Sequence, residues 1–355
     1  MPREHTLITL TSKGLYCPRG DFYIDPWRPV ERAIITHAHA DHARPGSKRY
    51  LTSATGANVL RERVQKDAAI DGRPFGEPVH LGEVIVSLHP AGHLLGSAQV
   101  RLEHRGEVWV ITGDYKVHDD PTCETFEPLQ CETLITESTF GLPIYRWPDE
   151  RTVFEEIHEW WRANQEAHRT SVIYAYALGK AQRVIAGLDP EVGPILTHGA
   201  VSRFVGVYRN AGVELPPTEH VTAENAKASR GRALVIAPPS AAGTPWLRKF
   251  AAISDAFVSG WMQLRGARRR RNVDRGFVLS DHADWPGLLR TIEGANATHI
   301  GVMHGYTDVL SRWLTERGYE TSIWATRFQG EGDDGAEEPR EPTGGAEESS
   351  GVESA

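Results

Sequence analysis

The sequence predicts an α/β fold built from more than one unit, and three observations carry that reading. Short apolar runs recur along the chain, several of them ending in a histidine or an acid. Between residues 143 and 272 such runs alternate with helix-like stretches, the pattern of a parallel sheet. The length, 355 residues, also exceeds what one ordinary hydrophobic core serves.

The first element that bears on chemistry is the apolar run Ala33-Ile34-Ile35-Thr36, which reads as a buried strand. It runs directly into His37-Ala38-His39-Ala40-Asp41-His42. A loop of this kind aims imidazoles at one metal and a carboxylate plus an imidazole at a neighbour, and the small alanines let the ligands converge. A polar surface loop would not be expected to concentrate three histidines and an aspartate behind a buried strand. Imidazole with carboxylate and without thiolate suits a catalytic zinc or manganese better than a closed structural zinc site. Two metals need further ligands. His93 lies in Pro90-Ala91-Gly92-His93-Leu94-Leu95-Gly96, where glycines permit a tight loop, and Asp114 closes the strand-like run Val108 to Asp114. Alone, either residue reads as a core, capping or turn residue; beside the cluster, both read as ligands.

These residues resemble the signature of the metallo-β-lactamase superfamily: His-x-His-x-Asp-His, a lone His, then a lone Asp, each at a strand end. The resemblance implies a sandwich of two sheets between helices. It implies one metal on His37, His39 and His93, a second on Asp41 and His42, and Asp114 bridging them. Asp25, before Pro26, corresponds to the family's supporting aspartate, although a turn aspartate is the plainer reading.

Three later segments are similar to the extra motifs of the β-CASP nucleases, the branch that includes Artemis-type DNA nucleases and ribonuclease J. They are Leu134-Ile135-Thr136-Glu137, Gly276 to Asp284 with His282, and His299 to Tyr306 with His304. Ala177-Leu178-Gly179-Lys180-Ala181-Gln182 and Ser259-Gly260-Trp261-Met262 further resemble the bacterial ligase-associated DNA exonuclease family, over about residues 5 to 328. The implied architecture is a discontinuous metallo-β-lactamase domain, 1–142 and 273–329, around an inserted β-CASP domain, 143–272, of mainly parallel sheet. The implied activity is two-metal hydrolysis of DNA, single-stranded or end-bearing, from 5′ ends in DNA repair. A DNA ligase and a helicase of the same pathway are the implied partners. His282 would then protonate the leaving oxygen, Glu137 would orient it, Asp41 would serve the catalytic centre and His304 would complete the second metal site. Asp281, where relatives carry a small residue, is expected to raise the pKa of His282.

Charge distribution says where nucleic acid would lie. The stretch from Gly330 onward is rich in Gly, Glu, Asp, Ser and Pro and holds nine acids and one base, so it is expected to be an acidic disordered tail, 330–355. Removing these from 39 bases and 47 acids leaves 38 of each, a body with no net charge. Within it the run Arg268, Arg269, Arg270, Arg271 reads either as a solvated loop or as a phosphate contact. Lys180 and Arg183, near a helix start, are candidates for holding a phosphate. Cys17, Cys123 and Cys131 show no metal spacing, the N-terminus lacks a basic-then-apolar segment, and no run reaches membrane-helix length. A cytoplasmic location without a membrane role is expected. A ribonuclease related to ribonuclease J or to 3′-end processing is the alternative enzyme. A small-molecule hydrolase would have no use for Glu137, His282 and the insertion, and a non-enzymatic scaffold no use for every ligand.

Overall fold

The computed structural model describes residues 6–326, so the acidic tail 330–355 lies outside the described residues. It contains three sheets joined by helices, a mixed α/β architecture in which parallel pairing predominates. The first sheet has six strands, from Thr9–Thr11 to Ile70–Arg73, antiparallel at its start and parallel from Phe22–Ile24 onward. The second has seven. An antiparallel meander leads to Glu107–Ile111, beside which Thr133–Glu137 and then His299–Met303 add in parallel.

These two sheets face each other across one core. Leu15, Phe22, Ile24 and Ile34 from the first meet Val86, Val100, Leu102 and Ile111 from the second. Helices cover the outer faces: Gly56–Arg63 against Tyr50 of the first sheet, Trp285–Ala295 and Thr307–Thr315 against Leu134 and Ile300 of the second. The layering is therefore helix, sheet, sheet, helix.

The third sheet is parallel throughout and runs in the spatial order Glu219–His220, Ile195–Thr197, Leu234–Ala237, Thr170–Tyr174, Ile253–Val258, Arg275–Phe277. Its central strands are buried at every position because both faces are covered, and alternation only sorts residues between the faces. Ile173 and Ile236 point to one core, Val172 and Val235 to the other. Helix Glu150–Glu166, capped by Asp149 accepting from the Arg151 amide, covers one face with Val153, Ile157 and Trp161. The last strand, Arg275–Phe277, pairs with Ile253–Val258, so the chain leaves this sheet after residue 277. A glycine-bearing edge strand closes the sheet before the chain returns toward the second one.

Trp161 is fully buried and its indole N–H donates to the Arg232 carbonyl at 2.9 Å. Trp161→Ala is expected to destabilise the protein by about 3–5 kcal/mol, through lost burial and a cavity under the third sheet. Denaturant titration reads this directly, and a loss under about 1 kcal/mol would mean that the site collapses to refill the space.

Candidate metal centre

Every predicted ligand but one converges at the strand ends of the two-sheet sandwich. His37, His39, His93 and Asp114 offer ligand atoms within 4.8 Å of one another, and so do His42, Asp114 and His304. Asp41 stands at the edge of the second group, its carboxylate 3.9 Å from His42 Nε2. Gly92 sets the loop that delivers His93. Its φ is +72°, and a Cβ there would lie 2.3 Å from the Lys116 carbonyl. Asp25 and His304 hold positive φ without being glycine, the kind of local strain that surrounding contacts must maintain.

The hydrogen bonds around the imidazoles fix their tautomers. His39 Nε2 lies 3.1 Å from the Leu178 carbonyl and His93 Nδ1 2.8 Å from the Asp281 carbonyl. A carbonyl can only accept, so each of these nitrogens carries the proton. The Thr36 hydroxyl donates its one hydrogen to Asp25 Oδ2 at 2.6 Å, so its oxygen accepts from His37 Nδ1 at 3.0 Å. Burial, with other imidazoles nearby, pushes the pKa of His37 and His93 well below the ordinary range; burial lowers that of His39 as well. Burial thus favours the neutral form of all three rings, in which the single proton is already committed. Three lone-pair nitrogens remain, His37 Nε2, His39 Nδ1 and His93 Nε2. The last two lie only 3.1 Å apart, and the first is buried without a hydrogen-bond partner. Converging lone pairs repel unless a cation lies among them. The donor set therefore fits a divalent metal on chemical grounds.

The second group is polarised in the opposite sense. Burial disfavours a charged His42, yet the Asp114 and Asp41 carboxylates and the hydrogen bond to Asp25 raise its pKa well above the ordinary range. His42 Nδ1 donates to Asp25 Oδ2 at 2.8 Å, while its Nε2 faces Asp114 Oδ2 at 3.4 Å. Asp25 also accepts from the Thr36 amide at 2.8 Å and so steadies both groups from behind. Burial opposes the charge of Asp114, but His42 and the hydrogen bond from His304 hold its pKa well below the carboxylate range.

Beside this centre His282 Nδ1 donates to Glu137, at 3.0 and 2.8 Å from the two carboxylate oxygens, and Glu137 also accepts from the Tyr115 amide at 2.8 Å. The His282 ring lies 4.7 Å from that of His93. Phe140 packs at 5.9 Å from it, and the Trp147 indole donates to the His282 carbonyl at 2.8 Å.

One expectation needs correction. Lys180 and Arg183 do not face a ligand: they are 0 % and 4 % exposed. Lys180 Nζ pairs with Asp281 at 3.2 Å; Arg183 pairs with Asp281 at 3.4 Å, with Asp120 at 3.4 Å and with Glu150. An internal cation already matched by carboxylates has no face left for phosphate. Asp281, in turn, directs its carboxylate at these two cations. Against burial, they hold its pKa far below the carboxylate range. The arginine run lies in the helix Arg265–Arg271. Arg269 and Arg270 are exposed, and the Arg271 guanidinium stacks 4.2 Å from the Phe257 ring.

The sequence reading missed Thr36 and Trp147. A hydroxyl closing an otherwise apolar strand one residue before the cluster was the available signal for Thr36; Trp147 carried none.

No family model matches the chain. Among curated proteins it is similar to a protein named probable DNA ligase from Opitutus terrae, 32% identical over 317 residues, which cover 88% of this chain and 30% of that relative. It is also similar to an RNase J-like protein from Methanocaldococcus jannaschii, 26% identical over 214 residues, 51% of this chain and 50% of the relative. The chain thus spans half or less of the length of these relatives. A crystal structure of a protein of unknown function from Enterococcus faecalis V583 superposes with a TM-score of 0.56, covering 84% of this chain and 80% of the other, at 12% identity. That last likeness concerns the fold alone. The curated relatives indicate the metallo-β-lactamase/β-CASP superfamily.

Proposed function

We propose that this chain is a two-metal-dependent nuclease that hydrolyses the phosphodiester bonds of DNA, working as an exonuclease from 5′ ends in DNA repair. The observation that carries the reading is the set of three buried imidazoles whose ring nitrogens converge beside a buried carboxylate, with a histidine–carboxylate pair adjoining. His37, His39 and His93 would hold one divalent ion and Asp41, His42 and His304 the other, with Asp114 shared; zinc and manganese both suit these donors. When bound, two such ions supply a water of lowered pKa and neutralise charge on the phosphoryl group. Asp25 holds His42, and through Thr36 also His37, in the orientation that ligation requires. Glu137 accepts from His282 Nδ1 and stabilises the charged ring, leaving Nε2 to deliver a proton to the departing sugar oxygen.

The domain reading follows from this one: a metallo-β-lactamase sandwich interrupted by a β-CASP unit that includes the third sheet through residue 277. Similarity to part of a probable DNA ligase favours DNA as the substrate; a ligase and a helicase of the same pathway would be the partners. Similarity to an RNase J-like protein favours the second reading, a ribonuclease.

Purified protein incubated with 5′- and 3′-labelled DNA and RNA, with zinc or manganese, separates these readings. Preferential release of nucleotides from the 5′ end of linear DNA is expected, with closed single-stranded circles left intact. Equal cutting of circles would make it an endonuclease, and preference for RNA would install the ribonuclease reading.

Replacing Arg268, Arg269, Arg270 and Arg271 together by glutamine is expected to weaken binding to all sequences alike. It should also reduce the slope of log affinity against log salt by about 0.7 for each single-strand phosphate that the helix no longer neutralises. An unchanged slope in a filter-binding series would mean that the helix is only a solvated surface.

A further inference from the structure

The segment from Leu178 to Arg183 is buried along its whole length. Its Leu178 carbonyl accepts from His39 Nε2 at 3.1 Å. Gly179 follows with φ +85°, and a Cβ there would lie 3.3 Å from Leu94 Cβ and 3.6 Å from Asp281 Oδ2. The Gln182 side chain ties the turn from within, accepting from the Gly179 amide at 2.8 Å and donating to the Ala177 carbonyl at 3.0 Å. Lys180 then grips the Asp281 carboxylate at 3.2 Å, while Arg183 donates to the Ser280 carbonyl at 2.5 Å. The Asp281 carbonyl is the group that accepts from His93 Nδ1, at 2.8 Å. Two imidazoles of the first metal group are therefore oriented from one stretch of the inserted unit, His39 directly and His93 through Asp281.

We infer that Leu178–Arg183, with Lys180 as its central positioning residue, selects the metal-binding tautomers of His39 and His93, so that the first metal site forms only while the inserted unit is docked. The inference rests on the metal-centre reading above. An imidazole protonated on the nitrogen that should bind metal cannot ligate, and the acceptor opposite the other nitrogen decides which tautomer is held. Packing alone does not account for Lys180, because an apolar side chain of similar volume fills buried space without needing a matched carboxylate.

The test titrates zinc ions into the metal-stripped full chain. The parent is compared with Lys180→Met, with Lys180→Met combined with Asp281→Asn, and with Gly179→Ala. Circular dichroism monitors folding, and the ring N–H resonances of nitrogen-15-labelled histidines report the tautomers. Each folded variant is expected to bind zinc about 10- to 100-fold more weakly, the usual effect of removing a group that orients a ligand. The N–H signals of His39 or His93 should shift or vanish in step. The double variant, which strands no Lys180–Asp281 charge, keeps the test available if Lys180→Met fails to fold, and Gly179→Ala moves the Leu178 carbonyl without altering any charge. Parent-like zinc affinity in whichever of these variants fold overturns the inference and leaves the metal centre standing. A parent that binds no zinc overturns the metal-centre reading itself.

Discussion

Asp114→Ala is expected to leave no measurable hydrolysis. Its carboxylate belongs to both ligand groups, with one oxygen 3.1 Å from His304 Nδ1 and the other 3.4 Å from His42 Nε2 and 3.6 Å from His37 Nε2. Its loss removes the acid shared by the two groups. The effect should exceed the about 10²–10³-fold cost of deleting a single transition-state hydrogen-bond donor. His37→Ala and Asp41→Ala should also abolish hydrolysis, each by removing one ligand, and His304→Ala should lose metal from the second group. Rates on labelled DNA, paired with metal content by mass spectrometry, decide the matter. Near-normal turnover in Asp114→Ala would end the two-metal reading.

His282→Ala should behave differently. Metal content and DNA binding should stay close to those of the parent, while turnover falls by about 10²–10⁴-fold, the usual share of a general acid. Glu137 gives the reason: it accepts from His282 Nδ1 and from the Tyr115 amide, so the pair forms a unit built beside the metal ligands. Single-turnover kinetics with saturating enzyme would isolate the chemical step. If the His282 variant purified with less metal, the residue would be a ligand instead of an acid.

Much of the centre was legible from the chain alone. The cluster His37 to His42, the glycine before His93 and the strand ends at Asp114 and Glu137 are set by neighbours in sequence. A buried strand followed by a tight polar turn is a local pattern that short-range sterics and hydrophobic periodicity can announce. The third sheet was legible for the same reason, since strands such as Thr170–Tyr174 and Leu234–Ala237 are buried at every position and carry runs of apolar residues.

What the chain alone misjudged were charges whose partners lie far away in sequence. Lys180 and Arg183 look like phosphate contacts until Asp120, Glu150 and Asp281 are brought around them and solvent is removed. The sequence by itself determined which residue types could bind metal and the turns that present them, because those depend on adjacent residues. Only the tertiary structure decided which nitrogen of each imidazole carries its proton and which cations lie inside. Those outcomes depend on acceptors such as the Leu178 and Asp281 carbonyls, which folding brings into place from distant parts of the chain.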